Sequence, residues 1–150
     1  MKIWVDADAM PRPVKEMLFR LADARQVEVV LVANQALRVP RSRWVRAVVV
    51  GREFDAADDW VAERVEPGDL VITGDVPLAV RAVERGAVAL DPRGEVVDAT
   101  NAQTRLVVRD LMESIRESGE LTGGPPPFSD RDKHKFAAAV QRLVPRRPPG

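Results

Sequence analysis

The sequence predicts an α/β protein in which helices cover both faces of a mainly parallel sheet, with further helices at the C-terminus. Short runs of apolar, β-branched residues, typical of strands buried on both faces, alternate with stretches of helical spacing. Such alternation predicts a three-layer α/β/α architecture, and right-handed crossovers bring the strand ends to one edge of the sheet. The chain has 150 residues, about the size of one domain.

The first strand, Lys2–Asp6, ends on a carboxylate. Two prolines then suit the first turn of a helix over residues 11–24, in which apolar residues recur at helical spacing. Continuous β-branched runs over residues 27–33 and 45–50 predict two further buried strands.

The next helix spans residues 55–65, with Asp55 as its N-cap. Apolar runs and the prolines and glycines at their ends predict the remaining elements: a strand over 70–73, a helix over 76–85, a strand over 87–90, and helices over 100–118 and 130–143. We expect a single domain, residues 1–150, with a core of about residues 1–118. A C-terminal loop and helix, 119–143, and a disordered tail, 144–150, would follow.

The composition excludes several classes of protein. The chain has no cysteine, which rules out disulfides and thiolate catalysis and fits a reducing compartment. It shows no secretory signal and no apolar run of the roughly 18 residues that span a membrane, so we expect a soluble, cytoplasmic protein without a membrane partner.

Acidic residues follow the predicted strand ends. Asp6 and Asp8 close the first strand, and Asp75 follows the strand that ends at Thr73. Because the strand ends share one edge, we expect these acids, joined by Asp58 of a nearby helix, to meet where open α/β sheets bind ligands. Crowded carboxylates raise one another's pKa unless a cation neutralises them, and oxygen ligands favour Mg²⁺ or Mn²⁺. The pattern predicts a metal site formed by these four aspartates.

A simpler interpretation is that the aspartates are structural. An aspartate at a strand end often caps the next helix, as Asp8 or Asp75 would do, and acids in a short helix often form a solvated face. Of the two adjacent acids in the helix, Asp58 borders the apolar side, whereas Asp59 turns further toward solvent, so Asp58 is the better ligand.

Several segments together resemble a known family. They are Val5-Asp6-Ala7-Asp8-Ala9, Val32-Ala33-Asn34, Asp55-Ala56-Ala57-Asp58-Asp59-Trp60-Val61, the stretch from Asp69-Leu70-Val71 through Thr73-Gly74-Asp75 to Pro77-Leu78-Ala79, and Gly123-Gly124-Pro125 with Asp130-Arg131. They cover nearly the whole chain, and the first and fourth are quite specific. The family they resemble is the YaiI/YqxD family of uncharacterised bacterial proteins, which is similar to PIN domains, the metal-dependent ribonucleases.

The resemblance implies a PIN-like fold and a set of site residues. The first-strand acid of PIN domains corresponds to Asp6, the Ala-Asp-x-x-aliphatic helix motif to Ala57-Asp58-Asp59-Trp60-Val61, and the Thr-x-Asp motif to Thr73-Gly74-Asp75. Typical PIN nucleases carry another acid, often Glu, on a helix between the first two motifs. This chain has no convincing counterpart, and Asp8 would take over part of that role.

A nuclease of this type would use Asp6, Asp58 and Asp75 as catalytic ligands of Mg²⁺ or Mn²⁺. The ion would lower the pKa of a bound water and neutralise charge at the scissile phosphate. The supporting residues, which would hold a ligand water or orient a carboxylate or the substrate, are Asn34, Asp59 and Thr73.

A cluster of arginines offers contacts to phosphates. Arginines interleaved with an aromatic residue suit single-stranded RNA, through phosphate pairing and base stacking, and predict RNA as a partner. The cluster consists of Arg38, Arg41, Arg43 and Arg46 around Trp44. An equally good interpretation is that Trp44 anchors the core and that the arginines are solvated. The sole histidine, His134, is predicted to be a surface residue, and residues 123–127 a packing turn.

Two other functions fit parts of the pattern. A haloacid-dehalogenase-like phosphatase also begins with Asp-x-Asp after its first strand, but it needs a central lysine, and this chain has none between Lys15 and Lys133. A catalytically silent PIN-like module that binds RNA or a protein fits the missing fourth acid. Nothing in the sequence supports a dinucleotide enzyme, because no strand is followed by Gly-x-Gly-x-x-Gly.

Overall fold

The computed structural model describes residues 1–53, 55–120, 124 and 126–146, so parts of the predicted turn (123 and 125) and tail (147–150) lie outside it. The strands are β1 (Lys2–Asp6), β2 (Glu28–Ala33), β3 (Val45–Val49), β4 (Leu70–Ile72), β5 (Val88–Leu90) and β6 (Val96–Val97). The helices are α1 (Arg12–Arg25), α2 (Ala56–Arg64), α3 (Val76–Glu84), α4 (Ala102–Glu117) and α5 (Asp130–Leu143). In the described part of the chain, no helix has the length and apolar character needed to cross a membrane.

The six strands form one sheet in the order β3-β2-β1-β4-β5-β6. All neighbours are parallel except β5 and β6, which are antiparallel. From β1 the chain moves outward to β3 and then returns to β4 on the other side of β1, so the strand order reverses between β1 and β4. The predicted α/β class with a mainly parallel sheet is therefore confirmed, and β6 is an addition that the sequence did not predict.

Side chains alternate between the two faces of the sheet, as the period of a β-strand requires. In β1, Ile3 and Val5 pack in a cluster with α1 and α5, whereas Trp4 packs in a second cluster with α2, α3 and the start of α4. Leu18 of α1 and Phe136 of α5 are fully buried in the first cluster. Both faces of the sheet are therefore covered, and its edges at the strand ends remain open for ligands.

The connection between β2 and β3, residues 34–44, crosses the sheet without forming a helix. Leu37 and Trp44 pack against the same core cluster as α1. The hydroxyl of Ser42 donates a hydrogen bond to the carboxylate of Asp23 in α1, which ties the far end of the connection to that helix. The connection thus lies alongside α1, and Trp44 serves partly as the core anchor that the alternative interpretation predicted.

The C-terminal helix α5 is part of the core. Ser129 and Asp132 form a reciprocal capping box at its start. At its end, Val144 is 2% exposed, although the sequence assigned it to the disordered tail. The guanidinium of Arg25 explains the difference, because it donates to the carbonyl oxygens of Val144 at 2.6 Å and Gln141 at 3.1 Å and so fixes the end of the helix.

Candidate active site

The candidate site lies where the strand order reverses, at the carboxyl ends of β1 and β4. Open α/β sheets bind ligands in the crevice at such a point. Thr73 Oγ1 donates to Asp6 Oδ2 at 3.0 Å and accepts from the backbone N–H of Asp75, also at 3.0 Å. Asp75 Oδ1 in turn accepts from the backbone N–H of Leu78 at 2.9 Å and caps α3. A chain of hydrogen bonds therefore holds the two strand-end acids beside each other.

A cavity of about 340 Å³ opens next to this chain of hydrogen bonds. Its lining is mostly acidic and comes from the ends of β1 and β2 and the start of α2: Asp6, Asp8, Asn34, Arg52, Glu53, Asp55, Ala56, Ala57 and Asp58. Asp8 Oδ2 accepts from the backbone N–H of Asn34 at 2.9 Å, so the backbone of Asn34, and not its side chain, orients this carboxylate. Three of the four predicted ligands share the cavity, and Asp75 is linked to Asp6 through Thr73 and lies close enough to raise the pKa of Asp58.

The crowding of carboxylates raises two pKa values. Burial raises the pKa of Asp6 above its ordinary 3.8, and the charges of Asp75 and Asp8 add to this, while the hydrogen bond from Thr73 opposes it. Burial also raises the pKa of Asp58, to about 7, with contributions from the charges of Asp75 and Asp6 and from its hydrogen bond to Asp75. Among the described residues no cation lowers either pKa, although Arg52 lines the same cavity, so the effect of the neighbouring carboxylates dominates.

The donor chemistry of the site fits a hard divalent cation, because carboxylate oxygens are the preferred ligands of Mg²⁺ and Mn²⁺. Among the described residues, however, no group of three or more Asp, Glu and His side chains is arranged to hold a metal ion as it stands. Binding of an ion would require Asp58 to lose its proton, since the crowding of Asp58, Asp75 and Asp6 raises the pKa of Asp58 to about 7.

Other predicted residues lie away from the cavity. Asp59 is exposed and forms an ion pair with Arg81 at 2.8 Å. Arg43 stacks on Trp44, with its guanidinium carbon 4.9 Å from the ring centre. Arg46 pairs with Glu28 at 3.0 Å and lines a different cavity, formed with residues at the opposite, amino-terminal edge of the sheet. Arg38 and Arg41 are exposed on the connection, and His134 is exposed on α5.

Three charged residues of the cavity were not predicted as site residues: Arg52, Glu53 and Asp55. Asp55 has the N-cap position of α2 but makes no capping hydrogen bond, and its φ of 62° is one that aspartate tolerates better than most residues. Its charge contributes to the raised pKa of Asp58. For Glu53 and Asp55 the available sequence signal is the density of acids over residues 53–59, which lies outside the strand ends.

Comparison with known proteins identifies the group to which this chain is related. The family described as "Uncharacterized BCR, YaiI/YqxD family" matches residues 4–146. The chain belongs to the YaiI/YqxD family. Members of similar length include the UPF0178 protein of Saccharophagus degradans, 50% identical over 96% of this chain and 95% of its own. The UPF0178 protein of Shewanella sp. (strain MR-7) is 52% identical over 97% and 95%. No solved structure matches the chain.

One motif residue of this YaiI/YqxD family member serves the fold instead of the site. Asp69 begins the segment that ends in Asp75, but it lies before β4, at the other edge of the sheet, and is 7% exposed. Its carboxylate accepts hydrogen bonds of 3.0 Å from the backbone N–H of Lys2, the indole of Trp4 and the backbone N–H of Glu66. It therefore fastens the start of β1 to the turn before β4.

Proposed function

We propose that this protein is a metal-dependent ribonuclease that hydrolyses phosphodiester bonds of single-stranded RNA. The main support is the cluster of Asp6, Asp58 and Asp75 at the point where the strand order reverses, two of whose members have raised pKa values. Crowding disfavours the ionised form of each carboxylate, and such clusters are typical of sites where a bound cation or a proton takes part in function. The resemblance of the sequence to PIN domains supplies the reaction class.

In this proposal Asp6, Asp58 and Asp75 hold the ion, and Asp8 lies at the rim of the cavity. A bound Mg²⁺ or Mn²⁺ supplies a water of lowered pKa and neutralises charge on the phosphate. Thr73 keeps Asp6 oriented, and the capping of α3 restrains Asp75, so both carboxylates lose little conformational freedom on binding an ion.

The fourth acid of typical PIN nucleases has two candidates in the same cavity. Glu53 and Asp55 line it together with Asp58, although neither lies on a helix between the first two motifs. A carboxylate from either residue would complete a four-acid set without Asp8. These two residues supply carboxylates that the sequence comparison with PIN domains did not identify.

A catalytically silent binding module is the second candidate. It is favoured by the absence, in the described residues, of a ready-made ligand set and by the raised pKa of Asp58, which disfavours its ionised form. A phosphatase of the haloacid-dehalogenase type gains no support, because the described lining of the cavity contains Arg52 as its one cation and no lysine.

The deciding experiment is cleavage of end-labelled single-stranded RNA by the purified protein with Mn²⁺. Asp75→Asn should lose at least roughly 100-fold in rate, since it removes a metal ligand. Asparagine caps helices as well as aspartate does, so this change should leave α3 intact. Asp59→Asn is the matched control and should keep nearly full activity, because Asp59 pairs with Arg81 outside the cavity.

Cleavage that requires Mn²⁺, disappears in Asp75→Asn and persists in Asp59→Asn would establish the nuclease. Absence of cleavage by the folded wild-type protein, with Mn²⁺ binding detected by calorimetry, would favour the silent module. Equal cleavage by all three proteins would indicate a contaminating ribonuclease and contradict the proposal.

A further inference from the structure

A second cavity of about 420 Å³ lies between α1 and the connection over residues 34–44. Its floor is apolar, with Phe19 of α1 and Leu37 of the connection, both partly buried against the core. Its charged lining consists of three cations, Arg12 and Lys15 from the first turns of α1 and Arg38 from the connection, and one acid, Glu16 of α1. We call this cavity the α1 groove.

The α1 groove is framed by two contacts between the segments that form it. At one end Asp8, just before α1, accepts a hydrogen bond from the backbone of Asn34. At the other end Ser42 donates to Asp23 of α1. Asp8 and Asn34 line the acidic cavity, and each lies four residues before a cation of the groove, Arg12 and Arg38 respectively. The same two segments of the chain therefore contribute to both cavities.

The charges of the groove are available for a ligand. Lys15 and Arg38 form no ion pair with any described residue. Arg12 pairs with Glu16 at 3.2 Å, but its side chain is 86% exposed, and such a pair is easily exchanged for a stronger anion. The groove thus presents mainly positive charge and, at its floor, apolar carbon, in contrast to the acidic cavity beside it.

We propose that the α1 groove binds a segment of single-stranded RNA, with phosphates on Lys15, Arg38 and Arg12 and one base against Phe19. Cations beside an aromatic ring suit single strands, because phosphates pair with the cations while exposed bases stack on the ring. An acidic peptide would satisfy the cations but would leave Phe19 without a planar partner. This proposal rests on the proposed function only for the cleavage of the bound RNA, because binding itself needs no cleavage.

The test measures fluorescence anisotropy of a labelled single-stranded RNA 12-mer titrated with the full-length protein in EDTA, so that no metal-dependent cleavage occurs. Lys15→Glu/Arg38→Glu should weaken binding at least about tenfold and reduce the slope of log K against log salt by about 1.4, which is roughly 0.7 for each phosphate that the variant no longer neutralises. Phe19→Leu, which keeps an apolar side chain in place, should weaken binding by roughly fivefold or more because the base no longer stacks on a ring.

The matched control is Arg131→Glu/Lys133→Glu, which makes the same change of charge on exposed residues of α5 outside the groove. Its affinity should stay within a factor of three of the wild type. If both double variants weakened RNA binding equally, the effect would come from the net charge of the protein, and the proposal would be overturned. Displacement of the RNA by poly-glutamate as readily as by unlabelled RNA would overturn the assignment of the groove to a nucleic acid.

The two proposals fail in different ways. A protein that cleaves nothing but binds RNA through the α1 groove would support the groove and contradict the nuclease. Metal-dependent cleavage that the Lys15→Glu/Arg38→Glu variant retains in full would support the nuclease and contradict the groove.

Discussion

Asp75 illustrates how one residue can serve the fold and the site together. Its Oδ1 caps α3 through the N–H of Leu78, and its charge also helps to raise the pKa of Asp58. Sequence reasoning treated capping and ligand binding as alternatives, because each explains an aspartate after a strand. The structure shows that the capping bond is made and that the neighbouring acids are still within reach. The two interpretations are therefore compatible, which no inspection of a single position could reveal.

At the same scale, the raised pKa of Asp58 predicts a dependence of stability on pH. In the unfolded chain Asp58 ionises near 3.8, and in the folded protein near 7, so the folded state binds more protons between these values. The free energy of unfolding therefore falls as pH rises through this window. Asp58→Asn removes the effect and should be more stable than the wild type by about 1–2 kcal/mol at pH 8, after allowance for solvent screening at this half-buried position.

The measurement is urea unfolding in EDTA at pH 8 and at pH 3.5, where Asp58→Asn and the wild type should differ little. Asp59→Asn, which loses only the exposed ion pair with Arg81, should show no gain at pH 8. An Asp58→Asn gain of the same size at both pH values would contradict this origin of the stability.

At the scale of elements, strands and helices were predicted to within two residues wherever the apolar pattern was long or strongly periodic. The exception is β6, a two-residue strand whose pairing with β5 depends on contacts across the hairpin. Arg93 and Glu95 of that hairpin pair with Asp132 and Lys135 of α5, which holds the hairpin against the last helix. Contacts between residues so far apart in the sequence leave no local pattern, and this is why the sequence did not predict β6.

The packing of α5 predicts a large cost for removing its buried aromatic ring. Phe136 is fully buried in the cluster that α1 shares, so Phe136→Ala should lower the free energy of unfolding by about 3–5 kcal/mol. Leu111→Ala is the control, because Leu111 is 58% exposed on α4, and should change stability by no more than about 0.5 kcal/mol. Urea denaturation of the two variants beside the wild type measures both. If Phe136→Ala lowered the free energy of unfolding as little as Leu111→Ala, α5 would not be part of the core.

At the scale of the whole molecule, parallel topology predicted correctly that Asp6 and Asp75 would lie at one edge. It predicted neither that Arg46 would lie apart from them nor that Arg12 and Lys15 would face the connection over residues 34–44. These placements depend on where a non-helical crossover lies on the sheet, and its path is set by tertiary packing of Leu37 and Trp44. Charge patterns within a loop therefore identified cations but not the surface they form.

The shared sheet predicts that the molecule unfolds as one unit. Trp4 and Trp60 belong to the cluster on the α2 side, and Trp44 packs on the α1 side. In Trp44→Phe, fluorescence reports only on the α2 side, while far-UV circular dichroism reports on all helices. The two urea transitions should coincide, since both layers share β1 and β4. Midpoints that separate would show that the layers unfold independently and would contradict the single domain.

The hydrogen bond between Thr73 and Asp6 joins residues 67 positions apart. Closing so long a loop is an entropically costly step, and contacts of this range form late in folding. During synthesis the first strand leaves the ribosome well before the fourth, so a nascent chain has no assembled site until β4 emerges. If the site cleaves RNA as proposed, the order in which the strands are synthesised sets the earliest moment at which the enzyme can act, which is after β4 has joined β1.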